Sequence, residues 1–383
     1  MKHAYLLLED GSIYSGTPFG APAPRADELG GHDCLRAAGE TFFNTSMLGY
    51  HEILSDPSCT GQLVVMTYPH IGNYGVDHLW TESHQSQSDQ IYKAAGCIVR
   101  SYYDGPVTEG RITLDEAMRK EGVPGISEVD TRRLTLKLRD EGCMNGVILS
   151  PAGEELTDQE KQQALEWLRL FPAMEGRNLI PTAGIRETEV INPQGSGHMV
   201  IIDCGIKENI IRRMVQQNLT ITLVAYTASA DFIRSLSPDA CFISNGPGDP
   251  AVLQDQIRTI ASLIGDMPVF GICLGHQLIS LALGAETYKM EFGHHGANHP
   301  VRDEQTGKTF VTTQNHGFSV RRDSLPEHVS LWFTNANDQT VEGITHASLP
   351  VSSVQFHPEA APGPQDSFWI IDRFIEETKR HSH

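Results

Sequence analysis

The 383-residue sequence lacks any apolar run near the ~18 residues that a membrane-spanning helix needs. Its first residues, MKHAYLLLEDGS, hold an apolar run too short for a secretory signal and soon interrupted by acidic residues. Basic residues are also scarce, because 29 Lys and Arg stand against 48 Asp and Glu, for a formal net charge of −19. We therefore expect a cytoplasmic chain that binds neither membranes nor nucleic acid.

Signals for bound metals, disulfides and nucleotides are missing as well. The seven cysteines are scattered without a CxxC pair, which argues against a disulfide framework and a structural zinc site. Among the seventeen histidines, His294, His295 and His299 cluster, but in a glycine-rich segment that we read as a loop without carboxylate or cysteine ligands. The chain has no GxxxxGK[ST] loop. We expect no metal and no cofactor in this chain.

The pattern of apolar residues changes along the chain and predicts its organisation. Residues 1–150 show short β-type runs between turns, which predicts a strand-rich α/β domain. Residues 151–197 hold a predicted helix and a polar Pro/Gly/Ser linker. Residues 198–383 alternate strands and helices, which predicts a doubly wound, mostly parallel sheet. In such a sheet, ligands bind at the carboxyl ends of the strands.

Cys273 lies where a predicted buried strand, Val269–Ile272, gives way to a predicted helix. Gly271 and Gly275 flank it, as a tight nucleophile elbow requires. The helix would direct its unpaired amides and positive dipole end at the sulfur and favour the thiolate. The alternative is an inert, buried cysteine that acts as a small hydrophobic residue.

His357 and Glu359 supply a second half of the same chemistry near the end of the chain. They are two residues apart after an apolar run, so an extended backbone places both side chains on one side, with Pro358 between them. A histidine can take the proton of a thiol, and a carboxylate can fix the tautomer of that histidine. The alternative is an ordinary surface turn, which the coincidence with the cysteine elbow disfavours.

These motifs together resemble a known family. The sequence GICLGHQ at 271–277 with His357-Pro358-Glu359 is similar to the class I, triad glutamine amidotransferases. Further segments resemble the small subunit of carbamoyl phosphate synthetase, including its own amino-terminal domain: SNGPGDP at 244–250, FGHHGANHP at 292–300, QNHGF at 314–318, FNTSMLGY at 43–50, TYPHIGN at 67–73 and VDTRRL at 129–134. The resemblance is weakest over Trp80–Arg111, where we expect partner-specific or regulatory differences.

The resemblance implies a glutaminase that hydrolyses L-glutamine through a thioester on Cys273. His357 would act as acid and base, and Glu359 would orient it. We assign the oxyanion hole, as a hypothesis, to the backbone amides of Leu274 and Gly248, because glycines let a backbone approach the substrate closely. The family pattern places the following residues around glutamine: Ser46, Gly246, Gly248, Leu274, Gln277, Asn315, Gly317 and Phe318.

The resemblance also implies a partner. In the family, ammonia passes to a large subunit that uses ATP, magnesium and bicarbonate to make carbamoyl phosphate for arginine and pyrimidine synthesis. The number of such heterodimers in an assembly stays open. Two alternatives are a glutaminase of another synthetase, such as those making GMP or anthranilate, and a noncatalytic regulatory subunit that keeps the fold.

Overall fold

The structure is a computed structural model that describes residues 3–30, 36–87 and 90–381. The chain forms two compact units. The first unit comprises Met1–Glu82 and Gln90–Met174, and the second comprises Ser83–Asp89 and Glu175–His383. Across the described ranges, no helix has both the length and the apolar character needed to cross a bilayer.

The first unit is built on a closed barrel with the strand order β1-β2-β8-β6-β4-β3-β9. Pairing of β1 with β9 closes it, and β3, β4, β6 and β8 are parallel to one another. The strands of this unit are β1 (Ala4–Leu8), β2 (Ile13–Gly20), β3 (Ala38–Asn44), β4 (Gln62–Met66), β5 (His70–Ile71), β6 (Gly96–Ile98), β7 (Ser101–Tyr102), β8 (Pro124–Ser127) and β9 (Met144–Leu149). The predicted strand-rich domain is therefore confirmed. The closure of its sheet into a barrel was not predicted from the sequence.

Helices pack around this barrel: α1 (Tyr50–Ser55), α2 (Leu114–Lys120), α3 (Thr131–Glu141) and α4 (Asp158–Arg169). Thr157 and Glu160 form a capping box that fixes the start of α4. Ala164 and Leu168 of α4 bury their side chains in a cluster with residues of β1 and β9. This packing places residues 151–174 in the first unit, whereas the sequence pattern had grouped residues 151–197 as a helix and linker.

The second unit contains a ten-stranded sheet with the order β10-β12-β11-β13-β14-β19-β18-β17-β15-β16. The strands β12, β11, β13, β14 and β19 are parallel, and the others are antiparallel. The strands are β10 (Glu189–Ile191), β11 (His198–Asp203), β12 (Thr220–Ala225), β13 (Ala240–Ile243), β14 (Val269–Ile272), β15 (Thr287–Asp303), β16 (Thr309–Val320), β17 (Val329–Asn335), β18 (Val341–His346) and β19 (Val351–Val354).

Helices cover both faces of the parallel strands, which confirms the doubly wound arrangement. Met199 and Ile201 of β11 pack in a cluster with the helices α5 and α9, whereas Val200 and Ile202 face a cluster that includes α6, α7 and α8. This alternation follows from the period of two along a strand. The helices are α5 (Glu208–Gln216), α6 (Ala230–Ser235), α7 (Gln254–Leu263), α8 (Leu274–Ala282) and α9 (Trp369–His381).

One segment was assigned wrongly from the sequence. The glycine- and histidine-rich residues 292–300 lie within β15, a 17-residue strand, rather than in a loop. The strand pairs with β16 over most of its length, with register shifts between Lys289 and His294 and between Gly296 and His299. Glycine, histidine and proline are weak strand formers, and here the long-range pairing with β16 overrides that local preference.

The topology brings four loops together. β11, β13, β14 and β19 are adjacent parallel strands, so the segments that follow them leave the sheet at the same edge. These segments are 204–207, 244–250, the turn at Cys273, and 355–359. The candidate site is built at this edge.

Candidate active site

Cys273 occupies a strained turn between β14 and α8. Its backbone has φ 54° and ψ −107°, a conformation that non-glycine residues rarely adopt. A side chain at Gly271 would lie 2.8 Å from the Gly275 backbone, and one at Gly275 would collide with the carbonyl of Ile243. The two glycines therefore allow the sharp turn between strand and helix that the sequence predicted, but the expectation of an exposed cysteine side chain is wrong, because Cys273 is only 3% exposed.

His357 and Glu359 form a buried pair just beyond the end of β19. The Nδ1 atom of His357 lies 2.6 Å from Oε1 of Glu359, and neither side chain is exposed to solvent. The backbone amide of His357 donates to the carbonyl of Thr313 on β16, which holds the segment in place. The pair is thus close as predicted, although it lies in a turn rather than on an extending strand.

Lys207 joins this pair and was missed by the sequence reasoning. Its ammonium group lies 3.1 Å from Oε1 of Glu359 and also donates to the carbonyl of Ala360, with 2% of its side chain exposed. Asn209 donates from Nδ2 to the carbonyl of Glu359 at 2.6 Å. The sequence did contain one indication of a role for Lys207, because it follows β11 and so lies at the same sheet edge as Cys273.

The charges of these groups stabilise one another. Burial disfavours the imidazolium, but the Glu359 carboxylate and the Cys273 sulfur outweigh it and raise the pKa of His357 to about 10. Burial likewise opposes ionisation of Glu359, yet Lys207 and His357 lower the pKa of that carboxyl to about 2. At neutral pH the site therefore holds a row of three charges: the Lys207 ammonium, the Glu359 carboxylate and the His357 imidazolium.

The remaining nitrogen of His357 is available to the sulfur. Nε2 is buried and makes no hydrogen bond within the described part of the chain, whereas the nearby Cys273 sulfur contributes to the raised pKa of the ring. The Cys273 sulfur also lies 3.7 Å from the carbonyl oxygen of Asn315, to which a thiol would donate. This arrangement can move a proton between the sulfur and Nε2.

A second histidine near Cys273 is not suited to this role. His276, on the first turn of α8, is fully buried, and its Nδ1 lies 2.9 Å from the Ser353 hydroxyl. Burial lowers the pKa of His276 to about 3, so the ring is neutral at physiological pH. His276 therefore contributes to packing, and His357 is the better candidate for the base.

The backbone amides of Leu274 and Gly248 were the predicted donors of the oxyanion hole. Leu274 is the first residue of α8, so its amide has no acceptor within the helix. Gly248, at φ +96°, is bridged to Asn178 through the hydrogen bond from the Asp249 amide to the Arg177 carbonyl. In that type of pairing the amide of Gly248 itself points away from the neighbouring segment. Both N–H groups can therefore donate a hydrogen bond to an oxygen of a bound substrate.

Most of the residues predicted to surround glutamine lie on α8, on β16 or in the loop after β13. Gln277 on α8 is buried, and its Nε2 donates to the carbonyl of Phe318 at 2.9 Å and to Oε1 of Gln355 at 3.0 Å. Asn315 accepts at Oδ1 from His295 at 2.9 Å. Gly317 lies between Asn315 and Phe318 on β16, and a side chain at Gly246 would collide with the carbonyl of Cys204.

Ser46 belongs to the first unit, unlike the other predicted contacts. It follows β3, and its amide donates to Oδ1 of Asn44 at 2.9 Å. The hydrogen bond fixes a tight turn after the strand. The role of Ser46 toward glutamine stays a prediction.

His294, one of the clustered histidines in the sequence, lies beside another histidine and a carboxylate that the sequence did not indicate. Side-chain atoms of His294, His316 and Glu342 lie within 4.8 Å of one another. Burial opposes a charge on His294, but Asp338 and Glu342 raise its pKa to about 9. At neutral pH the imidazolium of His294 therefore supplies the positive charge that these carboxylates require, and we assign the cluster to the structure of the sheet.

Comparisons with known proteins agree with this fold. The family model described as "Glutamine amidotransferase class-I" matches residues 200–377, and the model described as "Carbamoyl-phosphate synthase small chain, CPSase domain" matches residues 6–148. The fold and site of the second unit thus define a class I glutamine amidotransferase.

Curated relatives extend the match over the whole chain. Proteins named carbamoyl phosphate synthase small chain are similar to it in Methanocaldococcus jannaschii (46% identical, covering 97% of this chain and 98% of the relative), Akkermansia muciniphila (44%, covering 97% and 96%) and Chlorobaculum tepidum (44%, covering 98% and 98%). The chain belongs to the carbamoyl phosphate synthase small chain family.

Proposed function

We propose that Cys273, His357 and Glu359 hydrolyse the side-chain amide of L-glutamine in this glutaminase component of carbamoyl phosphate synthase. The observation that carries these roles is the buried His357–Glu359 pair, whose free Nε2 faces the strained cysteine turn. A pre-charged imidazolium beside a sulfur is the arrangement that activates a cysteine nucleophile.

The reaction proceeds in two acyl transfers. The Cys273 thiolate attacks the amide carbon of glutamine, and the imidazolium of His357 gives its proton to the departing nitrogen, so that ammonia leaves and a γ-glutamyl thioester remains. His357, now neutral, takes a proton from water, which attacks the thioester and releases glutamate and the thiolate. Glu359 keeps the ring oriented and stabilises its charge, and Lys207 holds Glu359.

Each tetrahedral intermediate carries a negative oxygen. We assign its two donors to the amides of Leu274 and Gly248, each contributing about 3 kcal/mol of barrier lowering in comparable sites. The proposed glutamine contacts are Ser46, Gly246, Gln277, Asn315, Gly317 and Phe318. Phe318 would act through its backbone, since its carbonyl already orients the amide of Gln277.

Ammonia is useful as a nucleophile only while it stays unprotonated, so transfer to the large subunit without release into water is chemically sensible. We propose that the large subunit uses ATP, magnesium and bicarbonate to form carbamoyl phosphate, and that this chain needs no cofactor for its own acyl transfers. We also propose heterodimers, with higher assembly open, in the cytoplasm. The six described cysteines are all free thiols, which suits a reducing compartment.

The alternatives are less well supported. A glutaminase of another synthetase would share the triad, but the family model over residues 6–148 belongs to the carbamoyl phosphate synthase small chain. A noncatalytic subunit would have no need for the charged row of Lys207, Glu359 and His357 beside a strained cysteine.

A Cys273→Ser variant tests the proposal in the complex with the large subunit. Glutamine-dependent synthesis of carbamoyl phosphate should fall by roughly 10⁴-fold or more, while synthesis from added ammonia continues. Cys143→Ser, at a half-buried cysteine of the first unit, is the matched control and should retain glutamine use. If glutamine still supports synthesis in Cys273→Ser, the assignment of the nucleophile is wrong.

A further inference from the structure

A short segment of the chain joins the second unit apart from its neighbours in sequence. Residues 83–87, here called the strap, pack with the second unit, whereas Glu82 before them and Gln90–Met174 after them belong to the first. The strap also lies within Trp80–Arg111, where the resemblance to the family is weakest. Its contacts are therefore candidates for a feature particular to this protein.

His84 anchors the strap between two carboxylates. Its Nδ1 lies 2.6 Å from Oε2 of Glu208 at the start of α5, and its Nε2 lies 3.1 Å from Oε2 of Glu189 on β10. Ionised carboxylates only accept hydrogen bonds, so both ring nitrogens must carry protons to satisfy both contacts. The geometry therefore requires an imidazolium. Burial opposes that charge, but Glu208 and Glu189 outweigh it and raise the pKa of His84.

Other groups nearby reinforce the same charge state. The Ser86 hydroxyl donates to the Glu189 carboxylate at 2.5 Å. Asp203, at the end of β11, is fully buried and attracts His84 electrostatically. Arg212 lies 3.8 Å from the other oxygen of Glu208, and competes only weakly with His84 at that distance. Among the described residues, Glu208, Glu189 and Asp203 thus favour the positive charge on His84.

The strap holds the turn that presents Lys207. Ser83 forms an antiparallel bridge with Lys207, and Nε2 of Gln87 donates to the carbonyl of Ile206 at 2.9 Å. The strap itself is closed by hydrogen bonds between His84 and Gln87. Lys207 in turn contacts Glu359 of the triad. A continuous set of contacts therefore runs from His84 to the catalytic carboxylate.

We propose that the strap is a pH-dependent clamp on the Lys207 turn, and that His84 is a positioning residue for the glutaminase reaction. The positioning role rests on the proposed function. The clamp is a property of the fold and does not depend on the proposed function. His84 touches neither substrate nor reacting atoms and acts through Lys207 and Glu359.

The direction of the effect follows from the proton on His84. A histidine whose pKa is raised by folding contributes its stabilisation fully below its ordinary pKa, ~6.5, and loses it as the pH rises through the folded value. Above that value one ring nitrogen faces a carboxylate without a proton to share. The strap then loosens, Lys207 is held less firmly, and Glu359 positions His357 less well.

Kinetics of the full-length chain with its large subunit test the positioning role. Between pH ~6 and ~9 the wild-type kcat for glutamine hydrolysis should fall about tenfold while KM changes little. His84→Lys keeps a positive charge over this range and should remove most of the fall. His84→Asn should show the low kcat throughout, and His78→Asn, at an exposed histidine of the first unit, should behave as wild type.

Hydrogen exchange of the peptide containing Ile206 and Lys207 tests the clamp without any activity. At pH ~9, wild type should exchange faster than His84→Lys, and His84→Asn should exchange fast at both ends of the range. Comparison at equal pH removes the intrinsic pH dependence of exchange. Equal exchange in all variants overturns the clamp, and altered exchange with an unchanged kcat profile overturns the positioning role. If the protein does not hydrolyse glutamine, the hydrogen-exchange test of the clamp still applies, because it does not measure activity.

Discussion

Replacing Lys207 by methionine should expose how the triad carboxylate is held. The ammonium group lies 3.1 Å from Oε1 of Glu359, with 2% and 0% of the two side chains exposed. Methionine keeps most of the volume and removes the charge, so packing changes little. Lys207, Glu359 and His357 form a buried row of alternating charges, with the Glu359 carboxylate between two cations. The variant removes one of the two cations that pair with the buried Glu359 carboxylate.

The magnitude follows from the distance. Two unit charges 3.1 Å apart attract by about 5 kcal/mol at an effective dielectric constant of ~20. The measured loss on breaking a buried pair is usually about 3–5 kcal/mol, because a charge stays buried without its partner. We therefore expect the free energy of unfolding of Lys207→Met to fall by about 3–5 kcal/mol. Lys161→Met, which breaks an exposed pair with Asp158 at 3.0 Å, should cost under about 1 kcal/mol.

The pH dependence of kcat gives a second readout. In wild type, the Glu359 carboxylate contributes stabilisation above its ordinary pKa of 4.5 and loses it as the pH falls through about 2. Without Lys207, the pKa of Glu359 should rise, so the acid loss of kcat should move toward neutral pH. Urea unfolding and the kcat profile check both points. Equal unfolding energies and an unshifted acid limb would refute the role assigned to Lys207.

Two further outcomes concern the alkaline limb and the elbow. In His84→Lys, which lacks the fall expected from His84, glutamine hydrolysis should stay high through neutral pH and fall as His357 loses its proton at about pH 10. Adding Glu359→Gln to that variant should move the fall to lower pH, and an unmoved limb would exclude Glu359 as the cause of the raised pKa. Gly275→Ala should lower the free energy of unfolding by about 1–3 kcal/mol, because the added side chain meets the Ile243 carbonyl. Gly30→Ala, with open space around the added side chain, should leave the free energy of unfolding unchanged. Equal urea midpoints for the two variants would show that the turn at Cys273 can relax.

The elements that the sequence predicted best are local in the chain. The cysteine elbow needs only a strand, two glycines and a helix in succession, and the relation of His357 to Glu359 needs only their spacing. The elbow is fixed within a few residues by backbone geometry, and the short separation of His357 and Glu359 lets them meet even though a turn replaces the predicted extended strand. The alternation of strands and helices after residue 198 likewise predicts the parallel sheet and its functional edge.

The features that the sequence did not reveal depend on distant partners. Lys207 meets Glu359 only because β11 and β19 end at the same sheet edge. The histidine-rich residues 292–300 form strand because β16 pairs with them, against their local preference. The strap belongs to the second unit through His84 and its carboxylates, which lie more than a hundred residues away in sequence.

The most direct test is to capture the covalent intermediate. The full-length chain is mixed with isotopically labelled glutamine, quenched in acid, digested, and examined by mass spectrometry. The peptide that contains Cys273 should carry one glutamyl group in wild type and none in Cys273→Ser, and the label should be lost on treatment with hydroxylamine, as a thioester requires. Formation of glutamate with the label on another residue, or with Cys273→Ser as active as wild type, would contradict the mechanism.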